Sequence, residues 1–140
     1  MIPQITCSHR SFKNEKQFQS FLTKVLHERG FFVEKLSDQA MWYKACDMFF
    51  MWEDWILAGV EVKYHSINDG TTFNRKKIRP NQYSSLRRLS QGNEKSALLV
   101  IYFEKYKTYK VFTFNEYLSL IWDRKSFYLS EIFPENVENL

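Results

Sequence analysis

Ala97-Leu98-Leu99-Val100-Ile101-Tyr102-Phe103 is an uninterrupted apolar run with charged residues close on either side. A half-exposed strand alternates polar and apolar residues, whereas a run without alternation must be covered on both faces. The run is far shorter than the roughly 20 residues of a membrane helix. The chain is therefore expected to build a central sheet flanked by helices. Its 140 residues suit one domain, and contents of 44% hydrophobic and 18% aromatic residues can fill a core, arguing against disorder. With 4 glycines and 3 prolines, a long flexible linker is not expected.

The flanking elements have recognisable signals. Phe18, Phe21, Leu22, Val25 and Leu26 recur at the spacing of one buried helix face, predicting a helix over 14–29. Asn14 and Gln17 have capping-box spacing, and Gly30 stands where that helix stops. Residues 31–33 read as a short extended segment. Apolar runs at 46–52 and 55–64, separated by Glu53-Asp54, read as a β-hairpin. Residues 66–79 read as a loop with a turn at Asn68-Asp69-Gly70. Pro80 opens a helix to about Gln91, with Gly92 ending it. Residues 109–114 are the expected hairpin partner of the apolar run. Thr113 and Glu116 form a second capping box for a helix through about Trp122.

The predicted order is α-β-β-β-α-β-β-α, a single mixed α/β domain over 1–140. Its core spans about 14–122, and an acidic, loosely patterned extension occupies 123–140. Phe18, Phe21, Phe49, Trp55 and Phe103 are assigned to the core; Trp42 and Tyr43 lie in a polar loop.

Charge and location are constrained less tightly. The net charge is +4, yet residues 61–95 hold eight cations (Lys63, Arg75, Lys76, Lys77, Arg79, Arg87, Arg88, Lys95) against Glu61, Asp69 and Glu94. The last ten residues hold Glu131, Glu135 and Glu138 with no base. A basic segment beside an acidic tail is the pattern of a polyanion-binding face, although a charge run alone is also an ordinary solvated surface. Cys7 and Cys46 are too few for a disulfide scaffold or zinc site and read as reduced thiols. Met1-Ile2-Pro3-Gln4 does not begin a signal peptide, so a soluble cytoplasmic protein with no membrane partner is expected.

The informative chemistry is Cys46-Asp47 followed by Glu61-Val62-Lys63. Strand alternation puts Glu61 and Lys63 on one face and Val60, Val62 and Tyr64 on the other, core-like face. Asp47, in the preceding strand of the hairpin, reaches the same place. Burying such charges costs several kcal/mol per ion unless they are paired or hold a metal. Two carboxylates suit Mg²⁺, and a neighbouring lysine can activate water or neutralise a phosphoryl transition state. The bland alternative is an ion pair on an exposed hairpin. His65 shares the Glu61/Lys63 face as a polar neighbour, and His27 is placed on the exposed side of its helix.

This arrangement, with Glu15 on the upstream helix and Gln82 on the downstream one, resembles the PD-(D/E)XK nuclease superfamily. Within it the chain is most similar to small Holliday junction resolvases of the RecU and archaeal Hjc types, and its small size suits a phage-encoded enzyme. Glu15 matches their helix acid, and Ser37, ten residues before Asp47, matches a serine of Hjc-type enzymes. Thr71-Thr72-Phe73 and Pro80-Asn81-Gln82 look like the threonine-phenylalanine segment and glutamine-bearing helix of RecU-type enzymes. Cys46 stands at the motif's usual proline.

The resemblance implies a restriction-endonuclease-like core and a Mg²⁺-dependent endodeoxyribonuclease of recombination and repair, with Mn²⁺ as substitute. Asp47, Glu61 and the Val62 carbonyl would ligate the metal, with Glu15 as a further candidate ligand. Lys63 would orient or activate water, with Glu15 and Gln82 assisting. The products would be 5′-phosphate and 3′-hydroxyl ends, and paired cutting of a four-way junction implies a homodimer. DNA contacts would come from Arg10, Lys13, Ser37, Thr71, Thr72, Arg75, Lys76, Lys77, Arg79, Arg87 and Arg88, with Trp42 and Tyr43 facing DNA or a dimer partner. Left open here are a nuclease for another DNA substrate, a catalytically vestigial DNA-binding protein, and an interaction domain whose ion pairs are structural.

Overall fold

Helix α1 (Glu15–Glu28) begins at Asn14, whose side chain accepts from the Gln17 N–H. The capping box is shifted by one residue from the expected form: Gln17 Oε1 accepts from the Lys13 N–H rather than from that of Asn14. Phe18, Leu22 and Leu26 are buried as the periodicity predicts, while Phe21 and Val25 border the face half-buried. Gly30, at φ 86°, turns the chain into β1 (Val33–Lys35). A computed structural model describes residues 12–36 and 46–134.

The hairpin forms as β2 (Met48–Met51) and β3 (Leu57–His65), antiparallel, with Met48 opposite Val60. Helix α2 (Pro80–Gly92) carries the chain across to β5 (Ala97–Phe103), which runs parallel to β3 with Glu61 beside Leu99. Every residue of β5 is buried, as its composition requires. Strand β6 (Thr108–Thr113) returns antiparallel, and helix α3 (Phe114–Ile121) opens with the Thr113/Glu116 capping box as expected. The result is a mixed five-stranded sheet, order β1-β2-β3-β5-β6, flanked by three helices. Alternation along the strands divides the core. Val60, Val62, Leu98 and Val100 pack beneath α1, and Leu99, Ile101 and Phe103 lie against residues of α2 and α3.

Three expectations need correction. The 66–79 loop contains strand β4 (Thr72–Asn74), which pairs antiparallel with β7 (Ser126–Tyr128) in a second small sheet. The core therefore reaches past 122: Phe127, Leu129 and Phe133 are buried beside Phe73. Two residues assigned to the core are not in it: Trp55 sits at φ 69° in the β2–β3 turn and is 84% exposed, and Phe49, on β2, is half-buried outside both core clusters. None of the described helices is long and apolar enough to cross a membrane.

Candidate active site

Glu61 and Lys63 project from β3 toward α2, and Asp47 enters the same space from the start of β2. All three are buried, at 3%, 7% and 6% exposure. An exposed hairpin ion pair is thereby excluded. The Asp47 N–H donates to the Val60 carbonyl at 2.9 Å, which seats the residue at the β2–β3 ladder. Asp47 Oδ2 then accepts from the Val62 N–H at 2.7 Å. Its own carbonyl accepts from the Leu36 N–H at 2.9 Å and from Gln19 Nε2 at 3.4 Å.

Gln82 closes the site from above. It occupies the third position of α2, where a side chain can reach back to the helix N-terminus. Its Oε1 accepts from the Arg79 N–H at 3.0 Å and from Lys63 Nζ at 2.8 Å, while its Nε2 donates to Glu61 Oε1 at 2.8 Å. Lys63 Nζ is 3.8 Å from Glu61 Oε1, so the amide mediates much of this ion pair. Gly59, two residues before Glu61 on the same strand face, leaves room for side chains: a Cβ there would meet Leu89 Cδ1 at 2.5 Å and Cys46 Sγ at 3.2 Å.

Burial pushes the Glu61 carboxyl up to about 8, reinforced by the Asp47 charge and a hydrogen bond between the two carboxyls, and opposed by the Lys63 ammonium. Two carboxyl groups that disfavour each other's ionisation are a donor set that a divalent cation satisfies. Among the described residues no cluster of three or more His, Cys, Asp or Glu could hold a metal. Asp47 and Glu61 are the carboxylates brought together here, and two carboxylates suit Mg²⁺, which keeps several waters and takes one or two of them. The neighbouring Cys46 thiol, pushed up to about 11 mainly by burial, is unsuited to metal or nucleophilic work.

The group opens into a cleft of about 430 Å³ whose walls include Glu15, Lys77 and Arg79 beside Asp47, Lys63 and Gln82. Lys77 Nζ donates to Asp69 Oδ2 at 2.5 Å, which sets the position of this cation at the rim. A second groove, about 360 Å³, lies by Phe31, Phe32 and Trp55 and holds no carboxylate pair.

The structure gathers Asp47, Glu61, Lys63 and Gln82 and places Glu15, Lys77 and Arg79 on the same cleft. Lys13, Arg75, Lys76, Arg87 and Arg88 are exposed outside its lining. Thr71 and Thr72 serve the fold through their carbonyls, which accept from the Leu129 N–H and from His65 Nε2. Arg10, Ser37, Trp42 and Tyr43 lie outside the described residues.

Three cleft residues were missed by sequence reasoning: Lys16, Gln19 and Tyr64. Gln19 carried a usable signal, being a polar residue inside an apolar stripe and one helical turn after Glu15. Tyr64, assigned to the core-like face, is half-buried; its hydroxyl bonds to Glu104 and to the Phe12 main chain.

No family model matches the sequence, and no curated protein matches it. Solved structures do match. The Holliday junction resolvase Hjc of the archaeal hyperthermophile Archaeoglobus fulgidus superimposes with a TM-score of 0.53 at 14% identity, covering 71% of this chain and 77% of that one. The chain shares the Hjc-like nuclease fold.

Proposed function

We propose that the protein is a Mg²⁺-dependent endodeoxyribonuclease that resolves four-way DNA junctions as a homodimer. The observation that carries the reading is the buried Asp47–Glu61 carboxyl pair, with Lys63 tied to it through Gln82. The likeness in fold to a Holliday junction resolvase supports the choice of substrate.

Asp47 and Glu61 would hold the metal, and the Val62 carbonyl is a third candidate because its N–H already faces Asp47. Mg²⁺, or Mn²⁺ in its place, supplies Lewis-acid stabilisation of the scissile phosphate oxygens. Lys63, held by Gln82 Oε1, would present its ammonium to the attacking water and to the negative charge that develops on the phosphoryl oxygens as the phosphorus–O3′ bond breaks. Gln82 keeps Glu61 in one orientation from its other end. Lys77 and Arg79, on the cleft wall, take the flanking phosphates, with Glu15 assisting the water or the metal. In-line hydrolysis then leaves a 5′-phosphate and a 3′-hydroxyl. A two-fold dimer would set two such clefts on opposing strands of a junction of the same symmetry.

The test is Asp47→Asn with a labelled junction. Cleavage should fall by at least a hundredfold while junction binding in EDTA persists. A wild-type protein that binds DNA without cutting it in Mg²⁺ or Mn²⁺ would contradict the reading.

A further inference from the structure

The groove of about 360 Å³ has two distinct walls. One is the α1–β1 connection, with Arg29 and Phe32; the other is the β2–β3 turn, with Glu53 and Trp55. Phe31 and Trp52, also in its lining, pack against the core. Phe32 is 55% exposed and Trp55 84%, which leaves two large rings in water. Tryptophan, phenylalanine and arginine are enriched at protein interfaces, and tryptophan and arginine are frequent binding hot spots.

The turn holds its rings in place. Trp52 Nε1 donates to the Lys95 carbonyl at 2.7 Å, and Lys95 Nζ stands 4.7 Å from the centre of the Trp52 ring. The Trp55 N–H donates to the Trp52 carbonyl at 3.0 Å. Trp55 is kept at φ 69°, a conformation that residues with a Cβ seldom adopt, and its indole gains no burial from it. A ring already fixed on a turn loses little freedom when a partner covers it.

Charge identifies the partner. Neither Arg29 nor Glu53 is ion-paired among the described residues, and the two stand on opposite walls. A two-fold axis running along the groove exchanges the walls, so Arg29 of each copy meets Glu53 of the other. A phosphate backbone fits less well, because Glu53 and the exposed Glu28 beside Arg29 repel it.

Resting on the homodimer of the nuclease reading, we propose that this groove is the surface through which two copies of the chain associate. Phe32 and Trp55 of the two copies pack across the axis, bordered by two reciprocal Arg29–Glu53 pairs. Asp47 precedes β2 and Trp52 follows it, roughly 16 Å apart along the strand. The groove and the catalytic cleft share no lining residue. Association here leaves both clefts open to DNA.

The experiment is sedimentation equilibrium of the full chain, with junction cleavage in Mg²⁺ measured in parallel. Wild type should dimerise, and Trp55→Ala should weaken the dimer by at least about thirtyfold. Arg29→Glu and Glu53→Arg should each be monomeric alone, since each sets like charges across the axis. An equimolar mixture of these two variants should dimerise again, because every cross-axis pair is then opposite in charge. All three residues are exposed, and circular dichroism verifies the fold of each variant. Dimers of wild-type strength in Trp55→Ala and Arg29→Glu would overturn this surface and leave the nuclease reading of the cleft standing. So would a Trp55→Ala variant that dimerises normally but binds the junction more weakly, which assigns the ring to DNA. A monomeric wild type that cuts the junction would overturn the dimer and not the metal site. A wild type that dimerises through the groove and cuts no DNA would uphold the surface and overturn the nuclease reading.

Discussion

Asp47 Oδ2 accepts a 2.7 Å hydrogen bond from the N–H of Val62, the residue between Glu61 and Lys63. One side chain is thus locked to the strand that supplies the other two charged groups. The lock depends on hairpin register, since Met48 must sit opposite Val60 for Asp47 to reach past the end of β2. A one-residue slip would send Asp47 to the α1 face.

The Gln82 amide is expected to matter for both its ends. Gln82→Glu would face Glu61 with a second carboxyl, and Gln82→Leu would abandon both Glu61 and Lys63. Each should lower single-turnover cleavage about 10- to 100-fold, the usual effect of losing a partner that orients a ligand. Gln82→Glu should also shift the pH profile, which Gln82→Leu should not.

Metal-free protein should lose stability as pH rises. Glu61 has an ordinary value of 4.5 unfolded and about 8 folded, so between these values the folded state binds more protons than the unfolded state. Stability then falls with rising pH, by at most about 1.4 kcal/mol per pH unit, and levels off above 8. Thermal melts in EDTA from pH 5 to pH 9 check this. Glu61→Gln should flatten the dependence.

Divalent metal should reverse that cost. At a concentration a hundred times its Kd, Mg²⁺ would add about 2.7 kcal/mol, or roughly 10 °C in Tm for a chain of this length. Asp47→Asn and Glu61→Gln should abolish the shift. An equal shift in wild type and both variants would place the metal elsewhere.

The segment after α3 should be integral to the fold. Phe127→Ala removes a ring stacked 5.5 Å from Phe73 in a fully buried layer and should cost about 3–5 kcal/mol, read from urea unfolding. A loosely attached extension would tolerate it within about 0.5 kcal/mol.

Much of this was legible in the chain because it is local. The α1 stripe, the Thr113/Glu116 box, Pro80 at a helix start and the unbroken β5 run each carry a signal within a few residues, and each forms close to its expected place. Asp47, Glu61 and Lys63 were legible through strand alternation. What escaped is non-local. β4 and β7 are three-residue strands paired across more than fifty residues, too short for periodicity and joined by no turn. Gln82 could be placed on a helix, but its two-ended bond to Glu61 and Lys63 depends on how α2 packs against β3, a tertiary relation that no local pattern carries. Trp55 was misassigned because hydrophobicity argued for the core while its place in the β2–β3 turn exposes it.

The most direct measurement compares purified wild type and Glu61→Gln on labelled four-way junction, linear duplex and single strand, each in Mg²⁺ and in EDTA. Paired symmetrical nicks in the junction, absent in EDTA and in the variant, are the predicted result. Metal-dependent cutting of duplex or single strand with the junction left intact would contradict the substrate. Junction cleavage that survives EDTA or the loss of the Glu61 carboxylate would contradict the metal site itself.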